Sequence, residues 1–141
     1  MASKRKGSAN WKGDLKTGTG TVSTQSGVLS NVNYGFNKRF GEEPGSNPEE
    51  LIAAAHASCF SMALSMVLGQ HDVTPDDITT TATVTLEEKD GGFAVTKSHL
   101  DVTIKASADE STLMEAAETA KANCPISKLL TAEITMDAKV A

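Results

Sequence analysis

The sequence predicts an α+β fold in which antiparallel β-sheets pack around two main helices. The first observation is the order of the elements: short strands, a long apolar helix, a hairpin, a second helix and a closing strand. The second is that the long helix is apolar on most of its circumference, which is typical of a helix buried on nearly all sides. A chain of 141 residues is the size of one ordinary domain, so we expect a single domain over residues 1–141.

The first forty residues predict a meander of short antiparallel strands. Recurrent glycines separate short stretches such as "TVST" and "NYGF". The segment "RFGEEPGSNPEE" that follows is rich in glycine, proline and acidic residues, and predicts a loop that leads into the long helix.

The long helix has clear start signals. Asn47 is a favourable N-cap, Pro48 suits the first helical position, and Glu49 and Glu50 complement the positive end of the helix dipole. Gly69 is a plausible residue just past the end. We therefore expect one helix between Asn47 and Gly69.

The remaining elements follow from alternation and turn chemistry. In residues 81–105, threonines alternate with apolar residues before Asp90-Gly91-Gly92, and apolar residues alternate with polar ones after it, which predicts a hairpin. A second helix, about Asp109 to Asn123, has an apolar side formed by Leu113, Ala116, Ala117 and Ala120. Pro125 ends it and starts the short helical piece "PISKLL", before a closing strand "AEITMDAKV".

Composition argues against several functional classes. The formal net charge of −5 gives no basic surface for nucleic acid, and Lys4-Arg5-Lys6 is interpreted as a solvated terminus. No early apolar segment resembles a signal peptide. His56 and serines interrupt the apolar run 51–68, which favours a core helix over a membrane span. We expect a soluble, cytoplasmic protein.

The apolarity of the long helix also predicts its assembly. One small domain cannot easily wrap a helix that is apolar on almost every side, whereas a second subunit can, because obligate interfaces resemble a domain core cut in half. We therefore expect a homodimer.

The chain has two cysteines, Cys59 and Cys124, and their surroundings decide their role. Cys59 lies in the middle of the long helix, where cysteine is usually an inert packing residue, and it becomes reactive only beside a cation. Cys124 precedes Pro125 at a candidate N-cap position, where the free N–H groups of a helix favour a thiolate. From the residues alone, Cys124 is the more acidic candidate.

A metal site is a further possibility. His56 and Cys59 lie three residues apart on one helical face, and Cys124 could be a third ligand. Zinc usually takes three or four protein ligands, and no convincing fourth is evident, since His71 and His99 have no partner motif. We therefore assign no metal and no other cofactor.

Three segments together resemble the OsmC/Ohr family of osmotically inducible and organic-hydroperoxide-resistance proteins. They are "NPEELIAAAHASCFSMAL", "NCPISKLL" and "GVLSNVNYGFNKRF", and the resemblance spans essentially the whole chain. The tract "NYGFNKRF" favours the OsmC branch over the Ohr branch, whose arginine lies nearer the N-terminus.

The resemblance implies a thiol peroxidase that reduces hydroperoxides without metal or haem, as an intertwined homodimer with its sites at the subunit interface. It implies that Cys59 is the peroxidatic and Cys124 the resolving cysteine. Arg39 would stabilise the Cys59 thiolate and Glu49 would hold Arg39. The expected partners are an organic hydroperoxide and an external dithiol, such as a lipoyl-type reductant.

Two physical points bear on these roles. Glu49 precedes Cys59 by ten residues, about 15 Å along one helix, so we expect a partner subunit to bring Arg39 or Glu49 to each thiol. The nearby Phe60, Met62, Leu64 and Met66 favour an organic peroxide over a small polar one. The main alternative is a non-enzymatic, stress-related ligand-binding domain with both cysteines inert, and a zinc module is the third.

Overall fold

The computed structural model describes residues Met1–Ala141, in two compact units, Met1–Leu51 and Ile52–Ala141. The elements are β1 Gly7–Lys12, β2 Thr19–Thr24, β3 Val32–Tyr34, α1 Phe36–Phe40, α2 Pro48–Gln70, β4 Asp77–Lys89, β5 Gly92–Lys105, α3 Glu110–Asn123, α4 Pro125–Leu129 and β6 Glu133–Val140. This order confirms the predicted α+β class with α2 and α3 as the main helices.

The first unit contains the predicted meander, an antiparallel sheet in the order β1-β2-β3. The rings of Trp11 and Tyr34 pack against each other beside Gly20, with centroids 5.4 Å apart. A Cβ at Gly20 would lie 2.6 Å from both rings, so only glycine leaves room for this pair. The short helix α1 was not predicted, because one helical turn gives no periodic signal.

Helix α2 begins as predicted and ends later than predicted. The Asn47 Oδ1 atom accepts a hydrogen bond from the Glu50 N–H at 2.9 Å, so Asn47 is the N-cap. The predicted stop at Gly69 is wrong, since α2 continues to Gln70. Asp72, with φ 58°, is the left-handed residue, and the Val73 N–H donates to Leu68 O at 2.9 Å, which is a Schellman ending.

The second unit contains a sheet in the order β4-β5-β6. The predicted hairpin is present, and its two-residue turn is formed by Asp90 (φ 52°) and Gly91 (φ 81°). One pairing differs from the antiparallel expectation: β6 runs parallel to β5. The chain between them, residues 106–132, contains α3 and α4, and a crossover of this kind returns a strand in the parallel direction.

The core of the second unit is formed by one side of α2, the inner face of β5 and the predicted apolar side of α3. Its buried residues are Phe60, Leu64, Val67, Leu68, Leu100, Val102, Ile104, Leu113, Ala116, Ala117, Ala120 and Cys124. The long, apolar α2 passes a test for a membrane span by length and composition alone. Four residues of α2, Phe60, Leu64, Val67 and Leu68, are buried in this core.

Candidate active site

In the first unit, Arg39 and Glu49 form a hydrogen-bonded ion pair. The Arg39 Nη2 atom donates to Glu49 Oε1 at 2.7 Å, and Arg39 Nε lies 3.1 Å from both carboxylate oxygens. The Glu49 side chain is 11% exposed and that of Arg39 is 37% exposed. The buried carboxylate therefore fixes the guanidinium while leaving part of it accessible.

Local structure positions this ion pair. Arg39 is in the last turn of α1, and Glu49 is in the first turn of α2. Asn47 links the two helices, because its Nδ2 donates to the Lys38 carbonyl at 3.2 Å while its Oδ1 caps α2. These contacts join Glu49 and Arg39 within this chain, and the expected role of the pair at Cys59 stays a prediction.

Arg39 also lines an apolar cavity of about 270 Å³ in the first unit. The lining residues are Trp11, Leu15, Tyr34, Gly35, Phe36, Arg39, Phe40 and Pro48. The Arg39 guanidinium carbon lies 5.4 Å from the Phe40 ring centroid, a cation–π distance. A cavity lined by four aromatic side chains and one cation suits an apolar molecule that carries a polar or anionic end.

In the second unit, Cys59 and Cys124 lie side by side as free thiols. Cys59 packs against the core cluster that contains Cys124, and both the Cys124 thiol and the backbone N–H of Ile126 are close enough to act on its pKa. Cys59 is partly exposed, whereas Cys124 is completely buried. The two thiols can therefore form a disulfide, and Cys59 is the one that a solute can reach.

The environment of Cys59 acts on its pKa in both directions. Burial raises the pKa above the ordinary value of 9.0, and this is the largest effect. The Ile126 N–H lowers the pKa, while the charge of Cys124 and the hydrogen bond with it raise it further. Within the second unit, Cys59 thus lacks the cation that a reactive thiolate needs.

Cys124 is the N-cap of α4, as predicted. Its sulfur accepts a hydrogen bond from the Ser127 N–H at 3.3 Å, and its thiol donates to Ser127 Oγ at 3.1 Å. Pro125 is at the first helical position, where its missing N–H costs nothing. Two hydrogen bonds to Ser127 therefore hold the sulfur of Cys124, the candidate resolving cysteine, in place.

His56 is a buried member of the same cluster and was missed as such by the sequence reasoning. Its Nε2 lies 2.9 Å from Ser127 Oγ, and its Nδ1 lies 2.7 Å from Ser98 Oγ. His56 and Ser98 are completely buried, and Ser127 is 6% exposed. Both ring nitrogens thus contact hydroxyl groups, whereas the zinc alternative would need one of them for a metal.

Two sequence signals could have revealed this network. Ser127 occupies the third position after the Cys124 N-cap, where a side chain can reach back to the cap. Ser98 shares the inner face of β5 with Leu100 and Val102, and a polar residue in such a position must find a buried partner.

Two further expectations need revision. Phe60 and Leu64 are completely buried in the core and cannot form walls for a substrate, whereas Met62 and Met66 are exposed. His99, which seemed to have no partner, has its Nε2 3.1 Å from Asp137 and 3.4 Å from Asp101. The strand pairing of β5 with β6 brings these groups together, a contact that local spacing does not reveal.

Comparisons with known proteins agree on one family. The family model described as OsmC-like protein matches residues 41–139. Peroxiredoxin OsmC of Escherichia coli is 54% identical over 138 residues, which is 97% of this chain and 96% of that protein. Organic hydroperoxide resistance protein-like 1 of Staphylococcus saprophyticus is 36% identical over 100 residues, which is 70% of this chain and 71% of that protein.

A solved structure extends the comparison. The organic hydroperoxide resistance protein from Elizabethkingia anophelis superposes with a TM-score of 0.75 at 26% identity, covering 100% of this chain and 99% of that one. The predicted family is therefore confirmed by both sequence and fold. The chain belongs to the OsmC/Ohr family, in its OsmC branch.

Proposed function

We propose that this protein is a thiol peroxidase that reduces organic hydroperoxides, and hydrogen peroxide less well, in defence against oxidative and osmotic stress. The observation that carries the proposal is the contact between a partly exposed Cys59 and a buried Cys124, both free thiols. The relatives named as a peroxiredoxin and as hydroperoxide resistance proteins support the same reaction class.

Cys59 is the peroxidatic cysteine in this proposal, because Cys124 has no exposed surface for a peroxide to reach. The Cys59 thiolate attacks the terminal peroxide oxygen, the O–O bond breaks, and the alcohol leaves after protonation. The sulfur is oxidised to a sulfenic acid and the peroxide is reduced. The residues alone favoured Cys124 as the more acidic thiol, but the peroxidatic cysteine must first be accessible to the peroxide, and only Cys59 is.

Cys124 then resolves the sulfenic acid. Its sulfur attacks the Cys59 sulfur, water leaves, and an intramolecular disulfide forms. An external dithiol, of which a lipoyl-type compound is one example, reduces the disulfide by thiol exchange and restores both thiols. This cycle uses no metal, haem or other cofactor.

Arg39 supplies the cation that Cys59 lacks, and Glu49 orients it. The carboxylate holds the guanidinium through both Nε and Nη2, a geometry that Lys could not reproduce. We assign the ion pair to a site shared between subunits of a dimer, which resolves the separation of Glu49 and Cys59 along α2. The aromatic cavity beside Arg39 suits the organic part of the peroxide.

The homodimer is argued from the exposed side of α2. Ala55, Ser58, Met62, Ser65 and Gly69 form an exposed stripe at alternating spacings of three and four residues. Met62, a large apolar side chain, is 77% exposed in the single chain. A small-residue stripe of this period is suited to packing against a second helix.

The dimer has a direct test. Met62→Asp should shift the molecular mass in light scattering from dimer to monomer, because it buries a charge in the interface. Val28→Asp is the matched control, since Val28 is 85% exposed on the loop after β2 and is not part of the α2 stripe. A wild-type monomer at all protein concentrations would contradict the proposal.

We extend the proposal to the whole chain as one domain, residues 1–141, located in the cytoplasm without nucleic-acid or membrane partners. In a reducing cytoplasm a redox-active disulfide is transient and catalytic rather than structural.

The competing function is a ligand-binding domain with inert cysteines. Thiol titration separates them: peroxide should convert two free thiols per chain into one intramolecular disulfide.

The cysteine roles are tested by single-turnover oxidation with cumene hydroperoxide. Cys59→Ser should abolish the first oxidation, whereas Cys124→Ser should still form a sulfenic acid that a dimedone-type reagent traps. Comparing cumene hydroperoxide with hydrogen peroxide, under several dithiols, then ranks substrates and reductants. Loss of the first oxidation in Cys124→Ser alone would reverse the two roles.

A further inference from the structure

Cys124 is connected to His56 by a buried chain of hydrogen bonds. Its thiol lies 3.1 Å from Ser127 Oγ, which lies 2.9 Å from His56 Nε2. On the far side of the ring, Nδ1 lies 2.7 Å from Ser98 Oγ. No buried side-chain nitrogen or oxygen of the chain lacks a partner, so the network is complete.

The direction of these bonds can be assigned. Because the Cys124 thiol donates to Ser127 Oγ, the Ser127 hydroxyl hydrogen is free to donate to His56 Nε2. The ring nitrogen that accepts cannot carry the proton, so the hydrogen of neutral His56 lies on Nδ1 and is donated to Ser98. The donors therefore all run from the thiol towards the imidazole.

The resolving step needs such an acceptor. A thiol becomes a good nucleophile only as it loses its proton. Cys124 is completely buried, so no solvent molecule touches its sulfur, and the proton must pass through a neighbouring group. In the resting protein, Ser127 Oγ already accepts a hydrogen bond from this thiol.

We propose, on the basis of the peroxidase function above, that Ser127 and His56 form a proton relay for disulfide formation. As Cys124 attacks the Cys59 sulfur, its proton moves to Ser127 Oγ and the hydroxyl proton of Ser127 moves to His56 Nε2. The S–H and S–O bonds break and the S–S bond forms. Cys124 sulfur is oxidised and Cys59 sulfur is reduced, while the leaving oxygen takes one proton from solvent at the partly exposed Cys59 and departs as water.

Reduction of the disulfide resets the relay. A dithiol attacks the accessible Cys59 sulfur, and Cys124 leaves as a thiolate. It then recovers its proton from His56 through Ser127, so no proton has to cross the core. The dithiol loses two protons in total: one protonates Cys59 as it is released, and the other replaces the proton that the leaving oxygen took from solvent. Ser127 contacts a reacting atom and is a catalytic residue, whereas His56 acts through Ser127 and is a positioning residue.

The surroundings of His56 suit a neutral proton acceptor. Burial lowers the pKa of His56, so the resting ring is uncharged and its Nε2 is free to accept a proton. The same burial disfavours the protonated ring, which therefore returns its proton to the Cys124 thiolate when the disulfide is reduced. On β5, the neighbouring Lys97 and His99 alternate onto the opposite face of the strand from Ser98. Hydrogen bonds link the ring to one titratable group, the Cys124 thiol, through Ser127.

The test measures the rate of disulfide formation after one equivalent of cumene hydroperoxide, across a pH series. Ser127→Ala should slow this step by about 10²-fold, the usual contribution of a positioned proton acceptor. The slow rate should then rise with pH, because the proton of Cys124 must pass to hydroxide that enters the space left by the missing Ser127 hydroxyl. The sulfenic acid should accumulate and be trapped in higher yield than in the wild type.

Ser61→Ala is the matched control. Ser61 also lies on an internal face of the second unit, where its hydroxyl hydrogen-bonds to Thr80 at 2.8 Å, but it does not touch Cys124. Both variants lose one hydrogen bond between two elements, so both should lose some thermal stability. Only Ser127→Ala should change the rate and its pH profile, and Ser127→Thr, which keeps a hydroxyl, should recover much of the rate.

His56→Gln is the second variant, and it keeps the network testable if Ser127→Ala folds poorly. It should slow disulfide formation and make it pH-dependent in the same way. Wild-type rates and pH profiles in a folded Ser127 or His56 variant would show that the network only satisfies buried polar groups. If wild-type Cys59 is not oxidised at all, both the peroxidase function and the relay that rests on it are wrong, whereas normal oxidation with unchanged variant rates overturns the relay alone.

Discussion

The carboxylate of Glu49 receives hydrogen bonds from both Nε and Nη2 of Arg39, the shorter at 2.7 Å. Glu49 is mostly buried and would be costly to leave without this partner. We therefore expect the ion pair to orient the Arg39 guanidinium. Most exposed ion pairs contribute only about 0–1 kcal/mol to stability.

The first prediction concerns this orientation. Glu49→Gln should lower the rate of Cys59 oxidation by about tenfold and Arg39→Ala by about 10²-fold, because a cation aimed at developing charge contributes on that scale. Arg39→Lys should stay slow, since an ammonium group lacks the planar fork. The measurement is the single-turnover rate with cumene hydroperoxide.

A double-mutant cycle completes this test. If Glu49 acts only through Arg39, adding Glu49→Gln to Arg39→Ala should cause no further loss of rate. Fully additive effects would mean that the two residues act independently, against the proposed roles.

The second prediction compares two N-caps. Asn47→Ala should lower the free energy of unfolding by about 1 kcal/mol, because the Glu50 N–H loses its side-chain acceptor. Asp109→Ala should cost less, since the Asp109 side chain makes no capping hydrogen bond at the start of α3. Urea denaturation of both variants measures the difference, and equal losses would contradict the cap assignment.

Much of the fold could be predicted from the sequence because its signals are local. The Asn47-Pro48 start of α2, the Asp90-Gly91 turn and the apolar side of α3 each depend on residues within a few positions of one another. The end of α2 could not be placed from Gly69, because Asp72 takes the left-handed conformation that glycine usually adopts. The parallel partner of β5 depends on a long crossover, which carries no local pattern.

In the candidate site, too, local features could be predicted from the sequence and contacts between distant residues could not. The N-cap position of Cys124 follows from Pro125 alone, whereas its contact with Cys59 joins residues 65 positions apart and was implied only by the family resemblance. The bonds from His56 to Ser98 and Ser127 span 42 and 71 positions. Such contacts are set by tertiary packing, so the sequence pattern of α2 shows only that His56 interrupts an apolar run.

The third prediction concerns the hairpin turn. Gly91→Ala should destabilise the protein by about 1–2 kcal/mol, since φ is 81° there and L-residues pay that cost in the left-handed region. The adjacent Gly92→Ala is the control: a Cβ at either glycine meets no atom within 4 Å, but Gly92 has no positive φ. Gly91→Ala should have a lower melting temperature than Gly92→Ala in thermal unfolding. Equal melting temperatures would show that the turn changes conformation to accommodate the alanine.

The fourth prediction is a loss of stability in acid that depends on His56. Burial lowers the pKa of His56, so the unfolded chain binds a proton near pH 6.5 before the folded chain does. The stability contributed by the neutral ring is present above pH 6.5 and is lost as pH falls through the lower folded pKa. His56→Gln should show a shallower fall of unfolding free energy below pH 6.5, and an unchanged slope would place the acid sensitivity elsewhere.

The last prediction tests where the reactivity of Cys59 comes from. Within its own unit, burial raises the pKa of Cys59 above 9.0, so an acidic thiol requires a cation from outside that environment. Titration of the thiolate absorbance in Cys124→Ser, which retains one cysteine, should give a Cys59 pKa below 9.0. Adding Arg39→Ala should return it above that value, because burial then dominates again. Equal titration curves for the two proteins would show that Arg39 does not stabilise the thiolate, and would leave the helix N–H of Ile126 as the only group that favours it.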